Sequence, residues 1–380
     1  MGAGLITRRA ITTGSGSVGI DFSKDFKVVF IDFDGTIIKT EYVDSGDAAT
    51  APTDPDRTSE GLTFVEWNNS YSSITHDMLI GATYETTDGK TKAWITLNAV
   101  SGLTPTVTYI KSDTSTLTIE LRKVSDDSLV WSDTDATSGS SSKTVSGLST
   151  YEDYYFSIWI SSGTGTYTIG DGTNDRFVGN YLYSPYNYKV YVGENVTEIT
   201  TRSLFGSYNV LAIMLPKNVI KISGSAFYNC NAISCLVIPS TTTTIAGTDS
   251  FKEIKRIRYI SIPDDLATIS EFNFTNNYCM ISFIFPVTKT TVDEYTFYNC
   301  PALQHIYFGN ITAIARYAFN SCTTLKYFDF TKCTAVPTLA ATNAFGTINP
   351  IAKIKVPSAL ETAWKAATNW VTYADYIVGV

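Results

Sequence analysis

Residues 217–239 read KNVIKISGSAFYNCNAISCLVIP and form one unit of a repeat that fills the second half of the chain. The phenylalanine at position 227 returns in every unit, and subtracting neighbouring positions gives intervals of 22, 24, 23, 23, 22 and 26 residues. The series is Phe205, Phe227, Phe251, Phe274, Phe297, Phe319 and Phe345. Self-similarity at a nearly fixed period predicts stacked repeats, each forming one turn of a solenoid.

The apolar positions of one unit explain why the repeats must stack. Leu236 and Ile238 alternate inward on a short strand that ends at Pro239. Ala226 and Phe227 place a small and a large residue on the next inner layer. One unit cannot bury this face alone, so we expect neighbouring units to share a continuous core of Phe, Ile and Cys. A period of about 20 to 29 residues is that of leucine-rich repeats.

The residue pattern of the repeat is similar to that of a known family. Residues 226–230, 297–300 and 318–322 resemble the A-F-x-N-C segment of the BspA-type leucine-rich repeats of bacterial surface proteins. The residues that follow Phe251 and Phe274 depart from it. This resemblance implies surface display and adhesion, and it names no ligand.

Composition narrows the class of protein. A chain of 380 residues with 44% apolar and 17% charged residues is globular and has room for two or three domains. Its net charge of −8 argues against nucleic acid as a partner. Abundant Thr, Ser and Tyr favour β structure.

All six cysteines lie in the repeat half, and Cys230, Cys300 and Cys322 each stand three residues after a repeat phenylalanine. We interpret them as reduced, buried structural thiols, since no spacing demands a disulfide. The two histidines, His76 and His305, fall in different predicted domains, which argues against a zinc site. We expect no metal and no cofactor.

Residues 1–25 are rich in Gly, Ser and Thr and cannot form a core of their own. They form either a flexible terminus or an anchoring arm. The contact residues of such an arm would be Leu5, Ile6, Arg8 and Arg9. The first residues lack an apolar core of signal-peptide length, and no apolar window is long enough for a membrane span. We therefore expect that the chain does not insert into a membrane. We also expect that it is exported by another route.

Residues 26–87 are predicted to form a small β unit whose first hairpin turns at Asp34 and Gly35. The order of Asp-Gly-Thr, Ala-Pro-x-x-Pro-x-Arg and Gly-x-x-Phe-x-x-Trp resembles the InlB B-repeat (Listeria–Bacteroides repeat). The order departs from that family's pattern at Leu62, where Tyr is usual, and the loop at residues 58–59 is slightly longer. The resemblance implies a β-grasp spacer of surface proteins.

Residues 88–183 alternate as short strands with polar turns and resemble bacterial immunoglobulin-like β-sandwiches. Residues 184–357 hold the solenoid, and residues 358–380 are predicted to cap it with a helix. Ser358 and Glu361 match a capping box, and the helix would bury a face that includes Trp364. The predicted fold is therefore mainly β and multidomain, ending in a solenoid with a short helical cap.

An enzyme alternative arises from two aspartate motifs. Asp32 and Asp34 match the D-x-D-G-T motif of haloacid-dehalogenase-type phosphatases, in which they would act as nucleophile and acid/base. Asp171 and Asp175 match the distal motif that would hold Mg²⁺. That fold needs crossover helices, which the Thr- and Ser-rich sequence between the motifs does not predict. We interpret both motifs as turns; residues 170–175 could alternatively bind Ca²⁺.

Tyrosines of the repeats are the candidate binding residues, because tyrosine offers stiff amphipathic contact area. They are Tyr228, Tyr298, Tyr307, Tyr317 and Tyr327. The alternative is that they only pack at the edges of the layers.

These expectations combine into a non-enzymatic structural and recognition protein of a bacteriophage particle: a head or tail fibre, or a decoration protein. The arm would bind virion structural proteins, and the solenoid would bind a host surface protein or glycan, with the chain at the virion surface as a homo-oligomer. The alternatives are a bacterial cell-surface adhesin and, further off, the Mg²⁺-dependent phosphatase.

Overall fold

The computed structural model of the protein describes most of the chain, and nearly every element within the described residues is a β-strand. The described residues are 24–87, 92–97, 106–111, 114–123, 128–146, 148, 154–162, 167–169, 188–193, 196–202, 204, 206, 210–269, 274–346 and 348–380. The predicted arm contacts Leu5, Ile6, Arg8 and Arg9 lie outside these ranges, and so does the candidate calcium loop at 170–175.

The first unit is a four-stranded sheet. Its strands are β1 (Phe26–Ile31), β2 (Ile37–Val43), β3 (Leu62–Trp67) and β4 (Met78–Thr86), with a 3₁₀ helix at Thr58–Glu60. The strand order is β2-β1-β4-β3, in which only the central β1–β4 pair is parallel. The predicted hairpin turn is confirmed: Gly35 has φ +91°, and Asp32 N donates to Thr36 O at 2.8 Å.

The two faces of this sheet are both apolar. Val28, Phe30 and Ile80 pack into a small core on one face. Ile31 and Tyr84, on the opposite face, belong to a second cluster that includes residues of the repeats. A sheet that is apolar on both faces must be covered on both, so this unit has to pack against a neighbour.

The middle of the chain adds two groups of strands. They are β5 (Lys92–Leu97), β6 (Thr106–Lys111), β7 (Thr116–Lys123), β8 (Leu129–Asp135), β9 (Gly139–Thr144), β10 (Tyr154–Ser162) and β11 (Tyr167–Ile169). Strands β5, β10, β7 and β8 pair in that order, and β11, β6 and β9 form a separate antiparallel sheet. Leu117, Phe156 and Ile158 are buried in the main core.

The solenoid predicted from the repeats is confirmed. Its strands are β12 (Tyr188–Tyr191), β13 (Glu198–Ile199), β14 (Val210–Met214), β15 (Lys221–Ile222), β16 (Cys235–Val237), β17 (Thr244–Ile245), β18 (Tyr259–Ser261), β19 (Thr268–Ile269), β20 (Ser282–Ile284), β21 (Thr291–Val292), β22 (His305–Tyr307), β23 (Ala313–Ile314), β24 (Tyr327–Asp329), β25 (Thr338–Leu339), β26 (Lys353–Val356) and β27 (Ile377–Gly379). Each repeat contributes one longer and one two-residue strand to parallel ladders. In the three-residue strands β16, β18, β20, β22 and β24 the middle residue points inward, as in the aligned Phe283, Ile306 and Phe328.

One sheet runs from the middle unit into the solenoid. Its order is β14-β12-β5-β10-β7-β8, in which β12 pairs antiparallel with β5 and parallel with β14. The predicted domain limit between residues 183 and 184 therefore separates strands that belong to a common sheet.

The repeat phenylalanines form the continuous stack that their period predicts. Their rings lie 5.1 to 6.0 Å apart and within 13° of parallel from Phe227 to Phe345, and all six are at most 2% exposed. Phe205, the first of the series, lies outside the described residues. The stack shows that each unit buries its aromatic face only against the next one.

The Asn-Cys pair that follows Phe227 and Phe297 also has a physical reason. Asn229 and Asn299 have φ +62° and +58°, a left-handed conformation that asparagine tolerates better than most residues. The next residue, Cys230 or Cys300, is buried and donates its thiol to a carbonyl of the preceding repeat at 2.8 or 3.1 Å. Neither of these two cysteines is in a disulfide, and their positions suit a small buried donor.

The C-terminal segment covers the last layer of the core. It consists of a 3₁₀ helix (Ser358–Leu360), the helix α1 (Glu361–Ala366), a second 3₁₀ helix (Trp370–Tyr376) and β27. Trp364 and Trp370 are fully buried, and both rings contact Phe330. The predicted capping box is wrong: Ser358 Oγ donates to Val380 O at 2.8 Å, and the Glu361 carboxylate accepts from Lys365. Ser358 therefore binds the C-terminal segment and does not cap the helix.

Candidate recognition surfaces

The longer strands of the solenoid present their outward side chains on one surface, which we call the strand face. The four-stranded unit of residues 26–87 covers the first part of this face. Ala212, Met214, Cys235 and Val237 are buried there against that unit's second cluster. Gly81 on β4 lies so close to the solenoid that a Cβ atom on it would stand 2.4 Å from a methyl group of Val237.

Polar groups at this contact are paired across it. Asn68 donates to Ile238 O at 2.7 Å and accepts from Gly81 N at 2.7 Å. Ser261 on β18 donates to Leu79 O at 2.7 Å. Because buried polar groups without partners destabilise a contact, this pairing fixes the unit in one position on the repeats.

The Asp32–Asp34 motif lies at the edge of the same contact, and an arginine is bound to both of its carboxylates. Arg57 Nε donates to Asp32 at 2.9 Å, and Arg57 Nη2 donates to Asp34 at 2.7 Å. Asp32 is 3% exposed and also accepts from Tyr84 OH at 2.8 Å. Burial alone would raise the pKa of Asp34, but the hydrogen bond from Thr36 and the charge of Arg57 lower it. The motif residues thus close a turn by ion pairing.

A third carboxylate connects this cluster to β12. Glu60 accepts from Arg57 at 2.7 Å and from Lys189 at 2.9 Å, and Tyr191 OH donates to it as well. Burial and the charge of Glu60 raise the pKa of Tyr191 well above its ordinary value. The phosphatase alternative had assigned Asp32 and Asp34 to catalysis, whereas here both lie in an ion-pair network between two units. Its other aspartates, Asp171 and Asp175, lie outside the described residues.

Farther along, the strand face carries aromatic and basic side chains, and Tyr327 there is 39% exposed. The His305 and Tyr327 rings stack with centroids 5.0 Å apart, and Lys355 Nζ lies 5.6 Å from the centre of the Tyr327 ring. Tyr307 follows His305 on the same outward row of β22, and Lys353 is exposed beside Tyr327 on β26. We call these residues (His305, Tyr307, Tyr327, Lys353 and Lys355) the open strand patch.

The surroundings of His305 favour the neutral form of its ring. Burial lowers its pKa below the ordinary value of 6.5, and Lys326, Lys355 and Lys27 act in the same direction, while Asp77 opposes them. A neutral imidazole both donates and accepts hydrogen bonds, which suits contact with hydroxyl or amide groups.

The five tyrosines proposed from the sequence do not lie together. Tyr307 and Tyr327 belong to the open strand patch. Tyr298 and Tyr317 lie on the turns, where the Tyr295 ring contacts both at 5.5 and 5.3 Å. Tyr228 lies on an earlier turn, with Lys252 Nζ 5.7 Å from its ring centre. The chain therefore offers two tyrosine surfaces, the strand patch and a turn edge.

Two participants were missed by the sequence reasoning. His305 stands one repeat before Tyr327, and parallel registration sets the two side by side. Tyr295 stands two residues before Phe297, as Tyr317 does before Phe319, and the pair stacks within 8° of parallel. Aligning the repeats by their phenylalanines would have found both residues.

Neither a metal cluster nor a membrane-spanning helix is found among the described residues. No three His, Cys, Asp or Glu side chains in these ranges are placed to share a metal ion. None of the described helices is long and apolar enough to cross a membrane.

Comparison with known proteins identifies the repeats. A model of the BspA-type leucine-rich repeat region matches in six copies, over residues 178–288 and 244–367, which together span half of the chain. No curated protein matches. A leucine-rich repeat protein from Bacteroides ovatus, known from its crystal structure, is similar at 21% identity and a TM-score of 0.37, over 44% of this chain and 42% of that one. The similarity thus spans less than half of that protein's length. On the match to its repeats, the chain belongs to the BspA-type leucine-rich repeat family.

Proposed function

We propose that the protein is a non-enzymatic recognition protein that binds a surface ligand, a protein or a glycan, through the open strand patch. The observation that carries this proposal is the division of the strand face. Its first part is buried under the unit of residues 26–87, while Tyr327 and Lys353 at the other end are exposed. Solenoids of stacked repeats bind partners on extended surfaces of this kind.

The chemistry of the patch supports recognition. Tyr327 and His305 form a stacked pair of rings that loses little conformational freedom on binding, because each ring is already held by its neighbour. Lys353 and Lys355 add positive charge at the rim. Aromatic rings bordered by flexible charged groups are typical of interfaces in which the rings supply affinity and the rim supplies selectivity.

The non-enzymatic part of the proposal is supported by the state of the aspartate motif. A nucleophilic carboxylate must reach its substrate, whereas Asp32 is almost fully buried and already accepts hydrogen bonds from Arg57 and Tyr84. Residues 24–87 contain one three-residue 3₁₀ helix and no crossover helix. This arrangement favours a structural role for the motif.

Two settings suit such a surface. BspA-type leucine-rich repeat proteins are typically found at cell surfaces, which agrees with a bacterial adhesin. The virion of a bacteriophage is the setting that the sequence analysis predicts, with residues 1–25 as the arm. Deleting residues 1–25 and testing binding to purified particles and to cells separates them: loss of particle binding alone assigns the protein to the virion, and cell binding without particle binding by the intact chain assigns it to a cell surface.

The patch itself is tested by a matched pair of substitutions. Tyr327→Ala and Tyr295→Ala remove tyrosines of nearly equal exposure, 39% and 41%, from the strand patch and from the turn edge. Binding of the labelled protein to bacterial and host cells is measured by flow cytometry. We expect at least a ten-fold loss for Tyr327→Ala, about 1.4 kcal/mol or more, and no loss for Tyr295→Ala. The reverse result would move the recognition surface to the turn edge.

A further inference from the structure

A short basic segment stands out in this acidic chain. Four of its 28 basic residues, Lys252, Lys255, Arg256 and Arg258, fall within the seven residues 252–258. They belong to the repeat in which Phe251 is followed by residues that depart from the Asn-Cys pattern. Lys252 is paired with Asp249 at 3.6 Å, whereas Lys255, Arg256 and Arg258 form no ion pair with any described residue.

Arg256 and Arg258 line a groove of about 600 Å³. The groove lies where β16, β18 and β20 begin, since Ser234, Arg258 and Cys279 each precede one of these strands. Its other wall comes from the turn of residues 26–87 and from Lys189. It is therefore a different place from the open strand patch, which lies on the outward rows of β22, β24 and β26.

The charge in this groove is positive after internal pairing. Asp34, its acidic member, is bound by Arg57 at 2.7 Å, and Lys189 is bound by Glu60 at 2.9 Å. Arg256 and Arg258 are exposed, line the groove and form an ion pair with no carboxylate of the described residues. A guanidinium binds carboxylate, sulfate or phosphate oxygens in a bidentate geometry and stays charged at any physiological pH.

The remaining lining suits a sugar. The hydroxyl groups of Thr36 and Ser234 lie beside the apolar side chains of Leu211 and Ala232. Hydroxyls can donate to and accept from sugar hydroxyls, while small apolar groups can contact the ring carbons. A volume of about 600 Å³ is within the usual range of small-ligand sites.

We propose that this groove binds an acidic polysaccharide through its carboxylate or sulfate groups, with Arg256 and Arg258 as the anion-binding residues. The site is independent of the function proposed for the open strand patch, because no residue of that patch lines the groove. The protein would then contact a surface at two places, one aromatic and one basic.

The test measures binding of the full chain to polygalacturonate, dextran sulfate, neutral dextran and poly-glutamate. We expect binding to polygalacturonate or dextran sulfate and none to dextran, and the stronger of the two acidic probes identifies the anion. Arg256→Gln/Arg258→Gln should weaken that binding at least about ten-fold, since each change removes a charge-assisted hydrogen-bonding group. Lys255→Gln removes one positive charge from a neighbour that does not line the groove, and it should change the affinity by less than about two-fold.

A second readout uses Cys279, which lines the groove and is the one cysteine of the six that is not buried. Bound polysaccharide should slow its alkylation in the wild type and have no effect in the double variant. The proposal is overturned if neither acidic polysaccharide binds, if Lys255→Gln weakens binding as much as the arginine pair does, or if poly-glutamate binds equally well, which would indicate a protein partner. Unchanged melting curves show that the variants fold.

Discussion

The two ends of the strand face are built by the same repeat and have opposite surroundings. At the first end the outward residues are small or apolar, such as Ala212, Cys235 and Val237, and they are buried under another part of the chain. At the far end the same outward rows carry His305 and Tyr327, and the tyrosine is exposed. The inward residues are apolar at both ends, aliphatic at the first (Leu236 and Ile238) and aromatic at the far end (Phe328 and Phe330). The repeat therefore fixes the scaffold, and the outward rows decide whether a surface is internal or available for binding.

The largest effect is expected from breaking the ion pairs at the covered end. Arg57→Met would leave Asp32, Asp34 and Glu60 without their shared partner in a largely buried site. We expect the free energy of unfolding to fall by about 3 to 5 kcal/mol, as for other buried ion pairs that lose one member. Chemical denaturation measures this change.

Arg316→Gln is the control for that substitution. It removes an arginine that pairs with Glu294 at 2.9 Å on the surface, where the two side chains are 62% and 36% exposed. Solvent screens such pairs, so stability should not change measurably. Equal losses in the two variants would contradict the distinction between a buried and a superficial network.

A smaller effect is expected from filling the close approach between the two units. Gly81→Ala would place a methyl group 2.4 Å from Val237, a β-branched side chain that cannot easily rotate away. We expect a loss of about 1 to 3 kcal/mol. Adding Val237→Ala should restore part of this loss, because it removes the obstructing methyl groups. A double variant that loses the full sum of both single changes would mean that the two residues do not touch.

The open end should respond to pH through His305. Because its pKa is lowered in the folded protein, the folded state binds fewer protons than the unfolded state as the pH falls below about 6.5, and stability is lost. The melting temperature of His305→Gln should therefore fall less between about pH 7 and about pH 5 than that of the wild type. Identical pH profiles would show that the ring is not held neutral.

The smallest effect on stability is expected from Tyr327→Ala, which should change the free energy of unfolding by no more than about 0.5 kcal/mol, as for most exposed positions. The same variant is expected to lose binding. A large loss of stability would make Tyr327 a packing residue and would remove the contrast with the covered end.

The sequence predicted what depends on local period and missed what depends on contact between distant segments. The spacing of Phe227 and its counterparts predicted the stack, because one repeat cannot bury its ring alone. Nothing local in residues 26–87 indicates that Gly81 meets Val237. Both faces of that sheet are apolar, and this pattern says that a partner exists without saying which one.

The sequence could propose tyrosines of the repeats as binding residues but could not show which of them share a surface. Tyr307 and Tyr327 lie on the strand face, whereas Tyr228, Tyr298 and Tyr317 stand next to, or two residues from, a repeat phenylalanine. That position places them on the turns. Arg57 shows the same difficulty for the aspartate motif. A match to a sequence motif cannot show that another side chain is already bound to its carboxylates.

The shared sheet has a mechanical consequence. Strand β12 is hydrogen-bonded to β5 on one side and to β14 on the other, so backbone hydrogen bonds join the middle unit to the solenoid. A tensile load that pulls them apart must break the β5–β12 ladder before the segments can separate, whereas a flexible linker would simply extend. A joint of this kind passes a pulling force from the middle unit on to the stacked repeats.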